Sequence, residues 1–255
     1  MTEASPPAAL RRVSFVMPAY DEEGRLGPSL ARLIEYCGRQ AYESEIIVVD
    51  DGSSDSTVAI AERAQDNPPE RVAVRVLKHE HNRGKGAAVR TGMLAATGDC
   101  AIYLDADLAT PPEETAKLVD AINGGADIAI GVRIQPGGYD MRNSEPLHRR
   151  VGGRIFTGVR KQLLLKDIHD TQCGFKAFRN SVAQVLARQQ ELDGWAFDAE
   201  LLFLAQQQGY SIAQVPVEWQ HVEGSRFQIG VRSAIRELRD LAKIRWVHRD
   251  LKAQS

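Results

Sequence analysis

This chain of 255 residues has no long apolar run, few aromatic residues and almost no net charge. Each shortage removes a class of protein. No stretch reaches the ~18–20 apolar residues that a membrane-spanning helix needs. Met1–Ala9 holds no apolar core of signal-peptide length, and the core pattern starts near Arg12. Neither an export signal nor an anchor ahead of that point is therefore expected. A net charge of −2 gives no bulk attraction to nucleic acid. Cysteine is scarce too. Cys37, Cys100 and Cys173 are odd in number, lie far apart and fit no zinc spacing. They read as buried thiols of a protein kept in a reducing compartment, the cytoplasm. His79 and His81 lack the Cys or His partners of a zinc site. What remains is a hydrophobic content of 43%, enough for one large α/β domain or two small ones.

Along the first half, strand-like and helix-like segments alternate. Strands are predicted at 12–17, 45–50, 72–77, 100–104 and 127–132, and helices at 27–39, 55–66, 85–96 and 112–123. Such alternation argues for a mostly parallel sheet with helices on both faces. The second half differs. Residues 133–143 are rich in Gly and polar residues, and a basic helical stretch follows at 144–166. A helix is expected at 198–208, a strand at 211–219 and an amphipathic helix at 230–248. No linker separates the halves. The reading is a tail over 1–11, one domain over 12–228 and a C-terminal basic helix with its tail over 229–255.

Three predicted strands end in acidic loops. Asp105-Ala-Asp107 follows the apolar run Cys100–Leu104. Alternate residues of an extended segment point the same way, so both carboxylates can face one point beyond the strand. Taken alone, the triplet reads first as a turn or a helix cap. Upstream, Glu45-Ile-Ile-Val-Val49 runs into Asp50-Asp51-Gly52-Ser53-Ser54-Asp55, where Ser54 or Asp55 can cap the next helix. The first strand runs into Pro18-Ala-Tyr-Asp-Glu-Glu23. In open parallel sheets, ligands bind outside the carboxyl ends of the strands. Acidic groups gathered there would repel bare phosphates. They suit a ligand with ribose and base hydrogen-bond donors, plus Mg²⁺ or Mn²⁺ to offset phosphate charge. Asn82-Arg-Gly-Lys-Gly86 is either a solvated turn or a nucleotide contact through Arg83 and Lys85.

These segments together resemble the inverting glycosyltransferases of family 2. The carriers are Pro18-Ala-Tyr-Asp-Glu-Glu23, Val48-Val-Asp-Asp-Gly-Ser53, Asn82-Arg-Gly-Lys-Gly86 and Asp105-Ala-Asp107. Asp170-Thr-Gln-Cys-Gly-Phe-Lys176, Trp195-Ala-Phe-Asp198, Val217-Glu-Trp219 and Glu223-Gly-Ser225 resemble the dolichyl-phosphate β-glucosyltransferases. Ala109, where the related mannosyltransferases often carry Gln, favours glucosyl over mannosyl transfer. The resemblance implies a GT-A fold with a Rossmann-like sheet, a nucleotide half over 12–132 and an acceptor and sugar half over 133–228. It implies transfer of glucose from UDP-glucose to a polyprenyl or dolichyl phosphate, with Mg²⁺ or Mn²⁺ on Asp107 and Asp105. Pro18, Ala19, Tyr20, Glu22, Asp50, Asp51, Arg83, Lys85, Asp105 and Ala106 would meet the nucleotide sugar.

An ionised acceptor phosphate needs positive charge to position it rather than a strong base. Arg133, Arg149, Arg150 and Arg154 are the candidates, Arg133 also as a catalytic residue. The stretch 144–166 carries six basic residues against one acidic, Glu145. Asp198 either caps a helix or orients the sugar and assists as base. Asp170 either caps or binds a glucose hydroxyl, with Gly174 beside it. Ser225 and Arg226 sit in a loop able to close over the diphosphate. Trp195 and Trp219 read as packing residues. Residues 226–252 hold eight basic and three acidic residues, a composition suited to peripheral contact with the cytoplasmic face of a membrane. The apolar stripe of that helix packs on the sheet or on a second subunit. Rival readings are a polyprenyl-phosphate mannosyltransferase using GDP-mannose, a family 2 enzyme with a soluble acceptor, and a non-catalytic nucleotide-sugar binding module. A nucleotidyltransferase would want a Gly-rich basic loop after the first strand, and the acidic Pro18–Glu23 counts against it.

Overall fold

A computed structural model describes residues 9–135, 138, 140–141, 165, 167–220 and 231–250, with the side chains of 231–238 outside that description. Seven strands form one sheet in the order β3-β2-β1-β4-β6-β5-β7. They are β1 (Arg12–Ala19), β2 (Glu43–Asp50), β3 (Val72–Lys78), β4 (Cys100–Leu104), β5 (Ile128–Val132), β6 (Phe175–Arg179) and β7 (Ile212–Pro216). The helices are α1 (Leu26–Gly38), α2 (Thr57–Arg63), α3 (Lys85–Ala95), α4 (Thr115–Asn123), α5 (Asn180–Gln189), α6 (Phe197–Gln207) and α7 (Val231–Val247).

The central strands are near-continuous apolar runs because helices cover both of their faces. Ile46, Ile47, Val48 and Val49 of β2 are all fully buried. Alternation divides them between two cores. Phe15, Met17, Ile46 and Val48 pack with Leu26, Leu30 and Leu33 of α1 and Leu118 and Ile122 of α4. Val16, Ile47 and Val49 pack on the other face with Val89 and Met93 of α3, Leu186 of α5 and Leu201 of α6. α7 joins this second face through Leu241 and Ile244.

One strand departs from the expected plan. β6 pairs antiparallel with both β4 and β5, while the other described pairings are parallel. The sequence reading left 175–179 without a strand and 180–189 without a helix. Lys176 is the reason: a charged residue at the centre of Phe175-Lys-Ala-Phe178 breaks the apolar run. In the fold its ammonium is fully buried and paired, as described below.

The strand order positions the site. From β1 the chain moves outward through β2 to β3, then returns across β1 to β4. The carboxyl ends of β1 and β4 therefore splay their loops in opposite directions, and a crevice opens at that switch point. No helix among the described residues is long and apolar enough to cross a membrane.

Candidate functional site

A cavity of about 350 Å³ lies at this crevice. Pro18, Ala19, Tyr20, Glu22 and Arg25 line it from the end of β1 and the start of α1. Asp51 follows β2, Gly84 and Lys85 open α3, and Asp105, Ala106 and Asp107 follow β4. Trp195, ahead of α6, completes the wall. Eight of the ten residues expected to meet a nucleotide sugar thus lie on one cavity, together with Asp107. Asp50 and Arg83 do not line it.

Hydrogen bonds across loops hold the wall. The Asp21 amide donates to Ser53 Oγ (2.8 Å) and the Glu22 amide to Thr57 Oγ1 (2.6 Å). The Ser54 amide returns a bond to Asp21 Oδ1 at 2.8 Å. Asp21 sits at a φ of 46°, a left-handed conformation that aspartate tolerates in turns. Asp51 is committed to the same scaffold. Its Oδ1 accepts from the Arg83 amide (2.9 Å) and meets His79 Nδ1 (2.7 Å), while its Oδ2 accepts from the Gly84 amide (2.7 Å). Asp50 Oδ2 accepts from the amides of Gly52 and Ser53. Asp50 Oδ1 is buried and has no partner among the described residues.

The loop before α6 docks on the start of α3. The Asp193 carbonyl accepts from the amides of Gly86 (2.8 Å) and Ala87 (3.3 Å). Gly84, at a φ of 107°, permits this approach, because a Cβ there would lie 2.4 Å from the Asp193 carbonyl oxygen. Those helix amides are occupied, so the loop meets the cavity through Asn82, Gly84 and the Lys85 side chain. Arg83 points its amide to Asp51 and is exposed.

The carboxylates after β4 behave differently. Lys85 Nζ lies 2.5 Å from Asp105 Oδ1 and 5.0 Å from the centre of the Trp195 ring. Burial works against the Lys85 ammonium, but Asp105, Asp198 and Asp107 outweigh it and hold its pKa up. Burial, and then the charge of Asp105, raises the Asp107 carboxyl above its ordinary range, against the Ala109 amide and the cations Lys85 and Arg25. Gly174 is required here. A Cβ on it would fall 2.1 Å from Asp105 Oδ2, so any larger residue would displace that carboxylate.

Two buried carboxylates lie deeper. Asp198 Oδ1 meets Lys176 Nζ at 2.7 Å and accepts from the Tyr103 hydroxyl. Lys176 also reaches Tyr103 Oη (2.8 Å) and the Cys173 carbonyl (2.6 Å). Burial pushes Asp198 up to about 8 and Lys176 down to about 7. The 2.7 Å contact keeps carboxylate and ammonium together, each satisfying the other inside the core. The Asp198 oxygen recorded in these contacts therefore serves an ion pair under the cavity. Asp170 and Arg133, expected to serve a sugar hydroxyl and a phosphate, meet each other in a two-pronged pair of 2.7 and 2.9 Å. Arg133 also stacks 5.4 Å from the centre of the Trp219 ring. Arg149, Arg150, Arg154, Ser225 and Arg226 lie outside the described residues.

Five wall residues were not among those expected: Asn82 and Gly84 within the Asn82–Gly86 motif, and Arg25, Ala88 and Trp195. Trp195 is no packing residue: 45% of it is exposed, and it lines the cavity. Its place in a loop just ahead of a helix start was the available signal. Arg25 carried no motif signal beyond its nearness to Glu22.

The two acidic residues suit a divalent cation. No group of three or more His, Cys, Asp or Glu forms a metal site among the described residues. Two carboxylates repelling one another at a cavity rim, with room beside them, are what a cation shared with ligand phosphates requires. Asp105 and Asp107 are the residues that would hold it.

The family model for glycosyl transferase family 2 matches residues 14–186. The chain is 36% identical over 230 residues to dolichyl-phosphate beta-glucosyltransferase ALG5C of Trichomonas vaginalis, covering 85% of this chain and 66% of that one. It is 32% identical over 246 residues to the dolichyl-phosphate beta-glucosyltransferase of Dictyostelium discoideum, covering 92% of this chain and 74% of that one. Among solved structures it is similar to glucosyl-3-phosphoglycerate synthase of Mycobacterium tuberculosis in complex with Mn²⁺, UDP-glucose and phosphoglyceric acid. There the TM-score is 0.64 at 19% identity, over 91% of this chain and 80% of that one. The fold is therefore of the GT-A kind expected from the motifs.

Proposed function

The chain belongs to glycosyl transferase family 2, and we propose that it moves glucose from UDP-glucose onto a polyprenyl or dolichyl phosphate. The observation that carries the reaction type is the cavity at the β1–β4 switch point, with Asp105, Asp107 and Lys85 on one wall and Pro18, Tyr20 and Trp195 around it. The lipid-phosphate acceptor rests on the named relatives, which act on dolichyl phosphate.

The chemistry follows from these residues. An oxygen of the acceptor phosphate attacks the anomeric carbon as the bond to the nucleoside diphosphate breaks, and the diphosphate leaves with the bonding electrons. The attacking oxygen is already ionised near neutral pH, so no side chain has to take a proton from it. Lys85 places a cation beside the departing phosphates. A Mg²⁺ or Mn²⁺ bound by Asp107 and Asp105 would neutralise the leaving group as a Lewis acid. Tyr20 and Trp195 offer faces that exclude water, which otherwise competes as nucleophile.

Attachment at a membrane surface is part of this reading. Arg239, Lys243, Arg245 and Arg249 are exposed along and just beyond α7, beside a Trp246 that is 65% exposed. Such a face suits anionic headgroups.

The deciding experiment offers UDP-glucose and Mn²⁺ with a short-chain polyprenyl phosphate, with phosphoglyceric acid, and with sugar hydroxyl acceptors. Product on the polyprenyl phosphate alone is expected. Transfer only to a soluble acceptor would replace the lipid reading, and preference for GDP-mannose would replace the sugar.

A further inference from the structure

Arg25 is the cavity residue that the motifs do not explain. It stands at the N-cap of α1, where the helix dipole already presents positive charge. It makes no side-chain cap, and the first turn of α1 holds no acidic residue to balance it. An arginine there is the wrong sign for helix stability, so another partner must account for it.

Glu22 accounts for two of the three guanidinium nitrogens. Arg25 Nε donates to Glu22 Oε2 at 2.7 Å and Nη2 to Glu22 Oε1 at 2.8 Å. This fork fixes the plane of the group. The remaining nitrogen, Nη1, is shielded from water and has no hydrogen-bond partner among the described residues. A buried donor left unpaired is costly, and native proteins rarely keep one without a use. Arg25 lines the same cavity as Asp105 and Asp107, close enough for its charge to act on Asp107. A ligand held against those carboxylates through a cation would bring phosphate oxygens into this neighbourhood.

We infer that Arg25 is a positioning residue for the donor, giving Nη1 to an oxygen of the nucleoside diphosphate while Glu22 holds the guanidinium in place. The inference rests on the nucleotide-sugar reading and adds an anion contact from α1, on the wall that the acidic motifs leave negative. It also gives Glu22 a role apart from touching the nucleotide: its carboxylate is the clamp.

Binding can be measured without turnover. Calorimetric titration of UDP, GDP and uridine, each with Mg²⁺, would be run on the parent, Arg25→Lys and Arg25→Met, with melting curves to verify folding. Arg25→Met should weaken diphosphate binding about tenfold or more while uridine binding stays within about twofold. Arg25→Lys should restore part of the diphosphate loss, since charge returns without the fork. If Arg25→Met fails to fold, Arg25→Lys alone decides, by a drop for the diphosphate larger than that for uridine. Equal losses for diphosphate and nucleoside, or none, would overturn the contact. A parent that binds neither UDP nor GDP would overturn the nucleotide reading itself, and this inference with it.

Discussion

At the end of β2, Asp51 gives both oxygens to the backbone of Arg83 and Gly84 and to His79. At the end of β4, Asp107 Oδ1 accepts from the Ala109 amide at 3.1 Å, and Asp105 Oδ1 meets the Lys85 ammonium. Both are acidic ends of parallel strands on one crevice. The β2 carboxylate is consumed by the scaffold, while Asp107, among the described residues, holds only its local Ala109 amide and Asp105 a lysine that lines the same cavity. Position at a strand end therefore does not make an aspartate chemical; what its oxygens already hold decides. Asp198 and Asp170 fall with Asp51, since each is matched by a buried or half-buried cation. The general lesson is one of satisfaction: a fully bonded carboxylate stiffens the site, and an unbalanced one invites a cation.

The comparison breaks most visibly if the satisfied carboxylates prove dispensable. Lys176→Met strands Asp198 without its partner inside the core and should cost about 3–5 kcal/mol of stability, read as a fall in denaturation midpoint. The pH dependence of that variant carries a sign. Removing Lys176 takes away a neighbouring cation, and burial already pushes Asp198 up to about 8 from 3.8 in the parent. Its neutral form is the one the fold accepts, so its contribution is fully present below the unfolded pKa and is lost as pH rises through the folded one. The variant should thus be least stable at the alkaline end of that window. A midpoint that rises with pH would contradict the assignment.

Next in size, Asp107→Asn should lower turnover by about a hundredfold or more on the proposed reading, in which Asp107 ligates the cation that neutralises the diphosphate. Metal-free, this variant should melt no lower than the parent, because the raised pKa of Asp107 marks a charge the fold tolerates poorly. Asp51→Ala should do the reverse. It leaves the Arg83 and Gly84 amides without an acceptor, and about 1–3 kcal/mol of stability should be lost. If Asp51→Ala melts like the parent and Asp107→Asn unfolds, the contrast between the two strand ends is inverted. The smallest effect concerns the thiols. Burial raises Cys37 and Cys100 to about 12 and Cys173 to about 11. The folded protein should react with a thiol probe only as fast as it opens. Rapid labelling of the native chain would be the contrary result.

Much of the first half of the chain was legible because its signals are local. Continuous Ile and Val runs mark strands buried on both faces, and an acidic or Gly-rich loop after each marks the ligand edge. β1, β2, β3, β4 and β5 fall within a few residues of their expected bounds. β6 was not legible, since Lys176 looks like a surface residue until Asp198 and Tyr103, far along the chain, come to meet it. The Arg133–Asp170 pair hid for the same reason, spanning 37 positions. Motif matching placed Asp51 on the cavity, where the structure also has it, but its bonds to the Arg83 and Gly84 amides and to His79 were not legible in the sequence. Trp195 and Arg25 reached the cavity through tertiary packing that no periodicity announces.

The central claim is that Asp105 and Asp107 hold a cation together with the donor's diphosphate. Electron paramagnetic resonance of Mn²⁺ titrated into the UDP-saturated protein tests it most directly. One tightly bound Mn²⁺ per chain is expected, dependent on UDP and lost in Asp107→Asn. Binding that survives the substitution, or no bound Mn²⁺ in the presence of saturating UDP, would contradict the account.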